Sequence, residues 1–192
     1  IADVHYGMIP DKGRVWSVDR TLEIKQAFKD VIDVVERSGA DLLLIAGDLF
    51  HSVPDEADLK EIDYLLSKLT KARTVIVAGN HDYIAPGSPY SRFKFSSRTI
   101  CLPPGRISNV YLKDINTCIT GYSADTNIIK DRIYDGVVPA KEGAINILLA
   151  HGGDEQHIPM DKVKLAESDF DYIALGHIHK PDIIVENKMA YS

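Results

Sequence analysis

Four short apolar runs punctuate the chain: Asp41–Ala46 (DLLLIA), Thr74–Ala78 (TVIVA), Ile145–Ala150 (INILLA) and Tyr172–Leu175 (YIAL). Each is bounded by glycine or polar residues and is too short for a buried helix. Each therefore predicts a strand covered on both faces. Elsewhere the period is helical. Ile24, Phe28, Val31, Ile32 and Val35 share one face of a segment running to about Ser38, with Ser17 and Asp19 as candidate caps and Gly39 as its end. A second helix is predicted over Asp55–Ala72, with Leu59, Ile62, Leu65, Leu66 and Leu69 turned inward. The stretch from Tyr83 to Gly143 is rich in Gly, Pro and Ser and holds short strands at Val110–Leu112 and Thr117–Thr120; a later strand is predicted at Asp182–Val185. Ile1–Asp3 reads as the end of a strand and Lys188–Ser192 as one in progress, so residues 1–192 are expected to be one domain truncated at both ends. Strands alternating with helices, then a strand-rich second half, predict an α/β sandwich with sheets packed between helices.

Composition changes this picture little. The 192 residues are 45% hydrophobic and 26% charged, ordinary for a globular domain with a sizeable core. No apolar run approaches the roughly 20 residues of a membrane span. Cys101 and Cys118 lie in apolar surroundings without CxxC spacing, which predicts buried free thiols in a reducing compartment, the cytoplasm. The net charge of −6 argues against a general nucleic-acid coat. Bound divalent ions would reverse that sign locally, where a phosphate must approach.

The chemistry lies just past the strands. Asp3 and His5 follow the first; Gly47-Asp48, Gly79-Asn80-His81-Asp82, His151-Gly152 and Gly176-His177-Ile178-His179 follow the four apolar runs. Loops at the carboxyl ends of strands converge over a crevice where ligands bind. A lone Asp-x-His is usually a surface accident, and a lone His after a strand is more often structural. Five strand ends delivering Asp, Asn and His in this order point to a metal site. Oxygen and imidazole donors without thiolate suit Mn, Fe or Zn better than Mg or Ca. Seven side chains exceed the needs of one ion and suit two, with one carboxylate bridging. Such a pair activates water and clamps the oxygens of a phosphate under in-line attack, which makes phosphate ester hydrolysis the natural reaction.

These motifs, spread over nearly the whole chain, resemble the calcineurin-like metallophosphoesterase superfamily. The resemblance implies a four-layer αββα sandwich with mixed sheets. Gly47-Asp48-Leu49-Phe50-His51-Ser52 with Pro54, and Tyr172 to Lys180, are similar to the Mre11/SbcD branch of DNA repair nucleases. Calcineurin-type protein phosphatases carry GD-x-x-DRG, and Phe50-His51-Ser52 departs from it. Carried over by position, the resemblance implies one ion held by Asp3, His5, Asp48 and His179, and another by Asp48, Asn80, His151 and His177. His81 then stabilises the phosphate or protonates the leaving oxygen. His51 contacts phosphate or positions His81, and Asp82 is a turn former and partner of the ligands. Tyr6 stands where nuclease relatives often have Leu.

The resulting expectation is a Mn-dependent DNA nuclease, exo- or endonucleolytic, of the Mre11/SbcD type in DNA repair. Fe or Zn are the other candidate metals. The implied partners are DNA, a Rad50/SbcC-like ATPase and a second copy of the chain, with a capping domain following the core. The alternative is a small-molecule phosphodiesterase or phosphatase on the same fold. A metal-free scaffold on this fold would have broken ligands, and all seven are intact. Lys12, Arg14, Arg92, Lys94 and Arg98 are candidates to border the site, the aromatics of Tyr90–Phe95 read as packed inward, and His157 as a surface residue.

Overall fold

A computed structural model describes residues 1–192. Its first sheet is wholly parallel, in the order β1 (Leu42–Ala46), β2 (Arg73–Val77), β3 (Thr99–Cys101). The second has six strands in the order β4-β5-β6-β7-β9-β8. These are β4 (Ser108–Leu112), β5 (Thr117–Gly121), β6 (Ile145–His151), β7 (Tyr172–Gly176), β8 (Asp182–Val185) and β9 (Met189–Tyr191). β5, β6, β7 and β9 run parallel, while β4 and β8 are antiparallel edges. The helices are α1 (Ser17–Ser38), α2 (Glu56–Leu66), α3 (Pro89–Arg92) and α4 (Lys162–Ala166).

Three apolar cores separate the layers. Phe28 and Ile32 of α1 and Leu59, Ile62, Leu65 and Leu66 of α2 close over Leu43, Ile45 and Ile76 of the first sheet. Val75, Val77 and Ala46 meet Leu112, Ile119, Ile147 and Leu149 between the two sheets. The second sheet's outer face, with Leu148, Ile173, Leu175 and Met189, is covered by Tyr122, Tyr134, Ile158, Leu165 and Phe170. Because β1, β2, β6 and β7 are covered on both faces, they needed continuous apolar runs rather than alternation. The order of layers is αββα, as expected, but the fourth layer is loops carrying the five-residue α4. No helix is long and apolar enough to cross a membrane. Both cysteines are free; Cys118 is buried and Cys101 half-buried.

Element ends differ from the sequence expectation where tertiary contacts intervene. α1 begins at Ser17 but has no side-chain cap; the Ser17 hydroxyl donates instead to the Asp11 carbonyl. Gly39 ends it in the left-handed region at φ 67°. α2 opens on a reciprocal capping box between Asp55 and Asp58. It stops at Leu66, six residues short of Ala72, where the Thr70 N–H and hydroxyl are taken by the Glu36 carboxylate of α1. Leu69 and Ala72 are still buried, from the turn beyond. Ile1 to Asp3 lies along the free edge of β1: Ile1 N donates to Leu44 O at 2.9 Å and Ala46 N to Ile1 O at 2.9 Å.

Candidate metal centre

All seven expected ligands emerge where β1, β2, β6, β7 and the Ile1–Asp3 segment end, on one rim of the two sheets. Asp3, His5, Asp48 and His179 offer ligand atoms within 4.8 Å of one another, and so do Asp48, His151 and His177. Asn80 joins the second group, its Oδ1 lying 3.0 Å from both His151 Nε2 and His177 Nδ1. In the first, His5 Nε2 lies 3.0 Å from His179 Nε2 and 3.9 Å from Asp48 Oδ2, and His179 Nε2 lies 3.5 Å from Asp3 Oδ1. Asp48 is the one residue common to both groups.

The fit to cations is visible in what is left unsatisfied. Asp3 Oδ1 and Asp48 Oδ2 are buried oxygens without a hydrogen-bond donor. Native proteins rarely strand a buried carboxylate oxygen, because its desolvation costs several kcal/mol. Here each faces imidazole nitrogens, and cations between them would satisfy every lone pair at once. Burial raises the carboxyl pKa of Asp3. Burial alone would raise Asp48 too, but the adjoining His151 ring and the His81 N–H outweigh it and hold it low. Burial, with neighbouring imidazoles opposing the pull of Asp48, lowers His5 to about 4. His5 is therefore a neutral ring at neutral pH, with a lone pair to give.

Backbone strain marks five of the seven. Asp3 (φ 52°), His5 (49°), Asp48 (50°), His177 (107°) and His179 (51°) all lie in the left-handed region without being glycine. Each costs roughly 1–2 kcal/mol, and such outliers gather where function over-determines geometry. Close approach does the rest. A Cβ on Gly47, itself at φ 84°, would sit 2.2 Å from His151 Nδ1.

The supporting residues are now defined. Asp82 is fully buried, accepts Gly79 N–H at 2.7 Å and Phe50 N–H at 3.2 Å, and so ties the two ligand loops together. Burial, then the charge of Asp48, raises its pKa. His81 N–H donates to Asp48 Oδ1 at 2.9 Å, and its Nδ1 lies 3.1 Å from the His51 carbonyl, leaving Nε2 to the open side. The His51 ring stacks on that of His81, with centroids 5.5 Å apart. A cleft of about 440 Å³ opens beside them, with His51, Asn80, His81, Tyr83, Asn127 and His157 among its walls.

Other sequence expectations fare differently. Arg92 and Lys94 line a separate surface cavity with Glu56 and Pro89, and neither Lys12, Arg14 nor Arg98 lines the cleft beside His81. Arg98 sits at the amino end of β3, bonded to Lys71 O, opposite the rim that carries the ligands. Tyr90 is buried against Phe50 and Phe95, the inward packing expected. His157, read as a surface residue, instead has a side chain 25% exposed and bonded to Asp154, which also bonds His177. Asp154 had no motif to announce it: it lies in a polar loop, and its significance is a contact with a residue far along the chain.

This rim of Asp, Asn and His donors on a two-sheet α/β sandwich is the arrangement of a metal-dependent phosphoesterase, and a family model for calcineurin-like phosphoesterases matches residues 1–181. The chain belongs to that family. Among curated proteins it is similar to the DNA double-strand break repair protein Mre11 of Methanocaldococcus jannaschii, 31% identical over 192 aligned residues, covering 94% of this chain and 50% of that protein. Mre11 of Archaeoglobus fulgidus is 29% identical, covering 95% of this chain and 46% of its own length. The chain thus spans about half the length of these relatives.

Proposed function

We propose that the chain is the catalytic core of a DNA nuclease of the Mre11/SbcD type that hydrolyses phosphodiester bonds with two transition-metal ions, manganese foremost. The observation that carries the reading is the pair of buried, donor-less oxygens, Asp3 Oδ1 and Asp48 Oδ2, facing imidazole nitrogens. Asp3, His5, Asp48 and His179 would hold one ion; Asp48, Asn80, His151 and His177 would hold the other. Bound there, the ions supply Lewis acidity and activate water at neutral pH. The chain's own groups do the rest. His151 Nδ1 lies 2.8 Å from the Ala46 carbonyl, so its proton is held there and Nε2 is free to ligate. The His51 carbonyl holds the Nδ1 proton of His81 in the same way and aims Nε2 at the cleft. With Nε2 turned to the cleft, His81 is placed to protonate the leaving oxygen or to stabilise charge on the phosphate. Asp82 keeps the Asp48 and Asn80 loops at fixed separation.

The diester preference rests on the walls. A diester has a chain on both sides of phosphorus and needs an open trough, which the cleft beside His51 and His81 provides. A monoester dianion is better served by cationic side chains closing over it, and no Lys or Arg lines that cleft. Both relatives are named for DNA double-strand break repair. A Rad50/SbcC-type ATPase partner, a cytoplasmic role in DNA repair and further DNA contacts from a capping domain belong to the same reading. One observation favours a second reading, a small phosphodiester as substrate: the same lack of cations gives a polyanion little to bind.

The test is turnover with Mn²⁺ at low ionic strength on a single-stranded oligonucleotide, bis-p-nitrophenyl phosphate and p-nitrophenyl phosphate. Cleavage of the oligonucleotide in preference to the monoester is expected. Hydrolysis of bis-p-nitrophenyl phosphate with the oligonucleotide intact at every salt concentration would move the assignment to small diesters. Efficient monoester turnover alone would make it a phosphatase.

A further inference from the structure

An imidazole that gives one nitrogen to a metal carries its proton on the other, and whatever accepts that proton sets the ring's tautomer and direction. For His151 the acceptor is the Ala46 carbonyl. For His177 it is a side chain outside the expected ligand set. His177 Nδ1 faces the centre, 3.0 Å from Asn80 Oδ1, while Nε2 lies 2.6 Å from Asp154 Oδ2.

We infer that Asp154 is the positioning residue of the second metal subsite, accepting the Nε2 proton of His177 so that the Nδ1 lone pair stays turned to the ion. The inference rests on the two-metal reading above. Asp154 is built to do this. Its Oδ1 accepts Gln156 N–H at 2.7 Å and His157 N–H at 2.9 Å, a turn that fixes the carboxylate on its own loop. His157 Nδ1 lies 3.0 Å from each carboxylate oxygen and braces it from the open side. With one oxygen anchored to the loop, the other is aimed at His177, and a charged acceptor makes that bond strong as well as directional.

Asp154, His157 and His177 are also close enough together to hold an ion of their own. An ion there would have to take the place of the proton between His177 and Asp154, turning His177 into an imidazolate shared by two metals. The positioning role needs no such species. It also accounts for His157, whose ring centroid lies 4.8 Å from that of His177 and which gathers with Asp154 and His177 but not with Asp48 and His151.

The discriminating variant is Asp154→Asn. Its amide oxygen can keep the two backbone N–H bonds of the turn, which brings its NH₂ against His177 Nε2. Two donors cannot face each other, so His177 is driven to carry its proton on Nδ1, where it blocks the ion. In calorimetric titration with Mn²⁺, the Kd of one of two sites should rise about 10–100-fold, with the other site unchanged. The metal-free variant should melt close to wild type. Nitrogen chemical shifts of the metal-free protein should report His177 as the Nε2–H tautomer in wild type and the Nδ1–H tautomer in the variant. If Asp154 serves only the turn, D154N binds both ions as wild type does, and the inference is overturned. Should D154N melt well below wild type, the nitrogen shifts of the metal-free wild-type protein decide: His177 as the Nε2–H tautomer supports the inference, and as the Nδ1–H tautomer overturns it. A wild-type protein that binds fewer than two ions would instead refute the two-metal reading, before any variant is made.

Discussion

Gly79 offers a steric probe of how tightly the centre is built. It joins β2 to the Asn80–Asp82 turn outside the left-handed region, so alanine there carries no backbone penalty of its own. The added Cβ, however, would lie 2.2 Å from Asp48 Oδ1, 2.7 Å from Asp48 N and 2.7 Å from His151 Nε2. Ordinary contact begins near 3.4 Å, so the Asp48 and Asn80 loops must part by more than 1 Å. Asp48 cannot swing aside freely, since it is fully buried and its Oδ1 already accepts His81 N–H. Overpacking of this kind costs about 1–3 kcal/mol, or roughly 2–12 °C in melting temperature for a chain of this size. A misplacement of about 1 Å at a reacting centre costs on the order of 10²-fold in rate. Gly79→Ala should therefore show weakened Mn²⁺ binding by calorimetry and turnover of bis-p-nitrophenyl phosphate reduced about 10²-fold at saturating metal. Gly87→Ala is the control. Nothing lies within 4 Å of its Cβ position, but its φ is +77°, so it should lose about 1 kcal/mol through backbone strain alone while keeping both ions. If Gly79→Ala retains two ions and wild-type turnover, the Asp48 and Asn80 loops are not held at the fixed separation proposed for them.

Three further outcomes follow. Asp48→Ala removes the residue shared by both ligand groups, and metal analysis after Mn²⁺ loading should find at most one ion per chain; two retained ions would refute bridging. His81→Ala should lower turnover about 10²–10⁴-fold with both ions still bound, because His81 donates its backbone N–H, not its ring, to Asp48; loss of an ion would make the ring a ligand. Asp55→Ala removes an acceptor for two N–H groups at the start of α2 and should cost about 1 kcal/mol, read as a melting shift with metal content unchanged.

What the sequence discloses depends on whether the signal is local. β1, β2, β6 and β7 are legible because a strand covered on both faces must be apolar throughout, and five or so such residues are a local signature. β3 is not: three residues, Thr99–Cys101, are a strand only because β2 lies beside them in register, Thr74 opposite Thr99. α2 shows the same limit at its end. Its helical period runs on to Leu69, yet the backbone leaves the helix after Leu66 because Glu36, some thirty residues earlier, captures Thr70. The basic residues Arg92, Lys94 and Arg98 were plausible neighbours of the site by sequence. Strand direction settles the case of Arg98, which precedes β3 while the expected ligands gather at the carboxyl ends; Arg92 and Lys94 line a separate cavity.

The centre itself divides along the same line. The gathering of the seven expected residues on one rim is legible because five of them follow four apolar runs closely and Asp3 and His5 follow the first segment. Their backbone is not legible. Asp3, His5, Asp48, His177 and His179 occupy left-handed conformations that glycine would adopt at less cost, but glycine has no donor atom to offer. Side chains at these positions are held in strained backbone, and the surrounding bonds must keep them there. Asp82 between Gly79 and Phe50, and Asp154 between its own turn and His177, are two of those holding groups. Asp82 sits inside the Gly-Asn-His-Asp motif and could be found from it. Asp154 lies three residues past His151 but bonds to His177, 23 positions further on, so only the fold brings the two together.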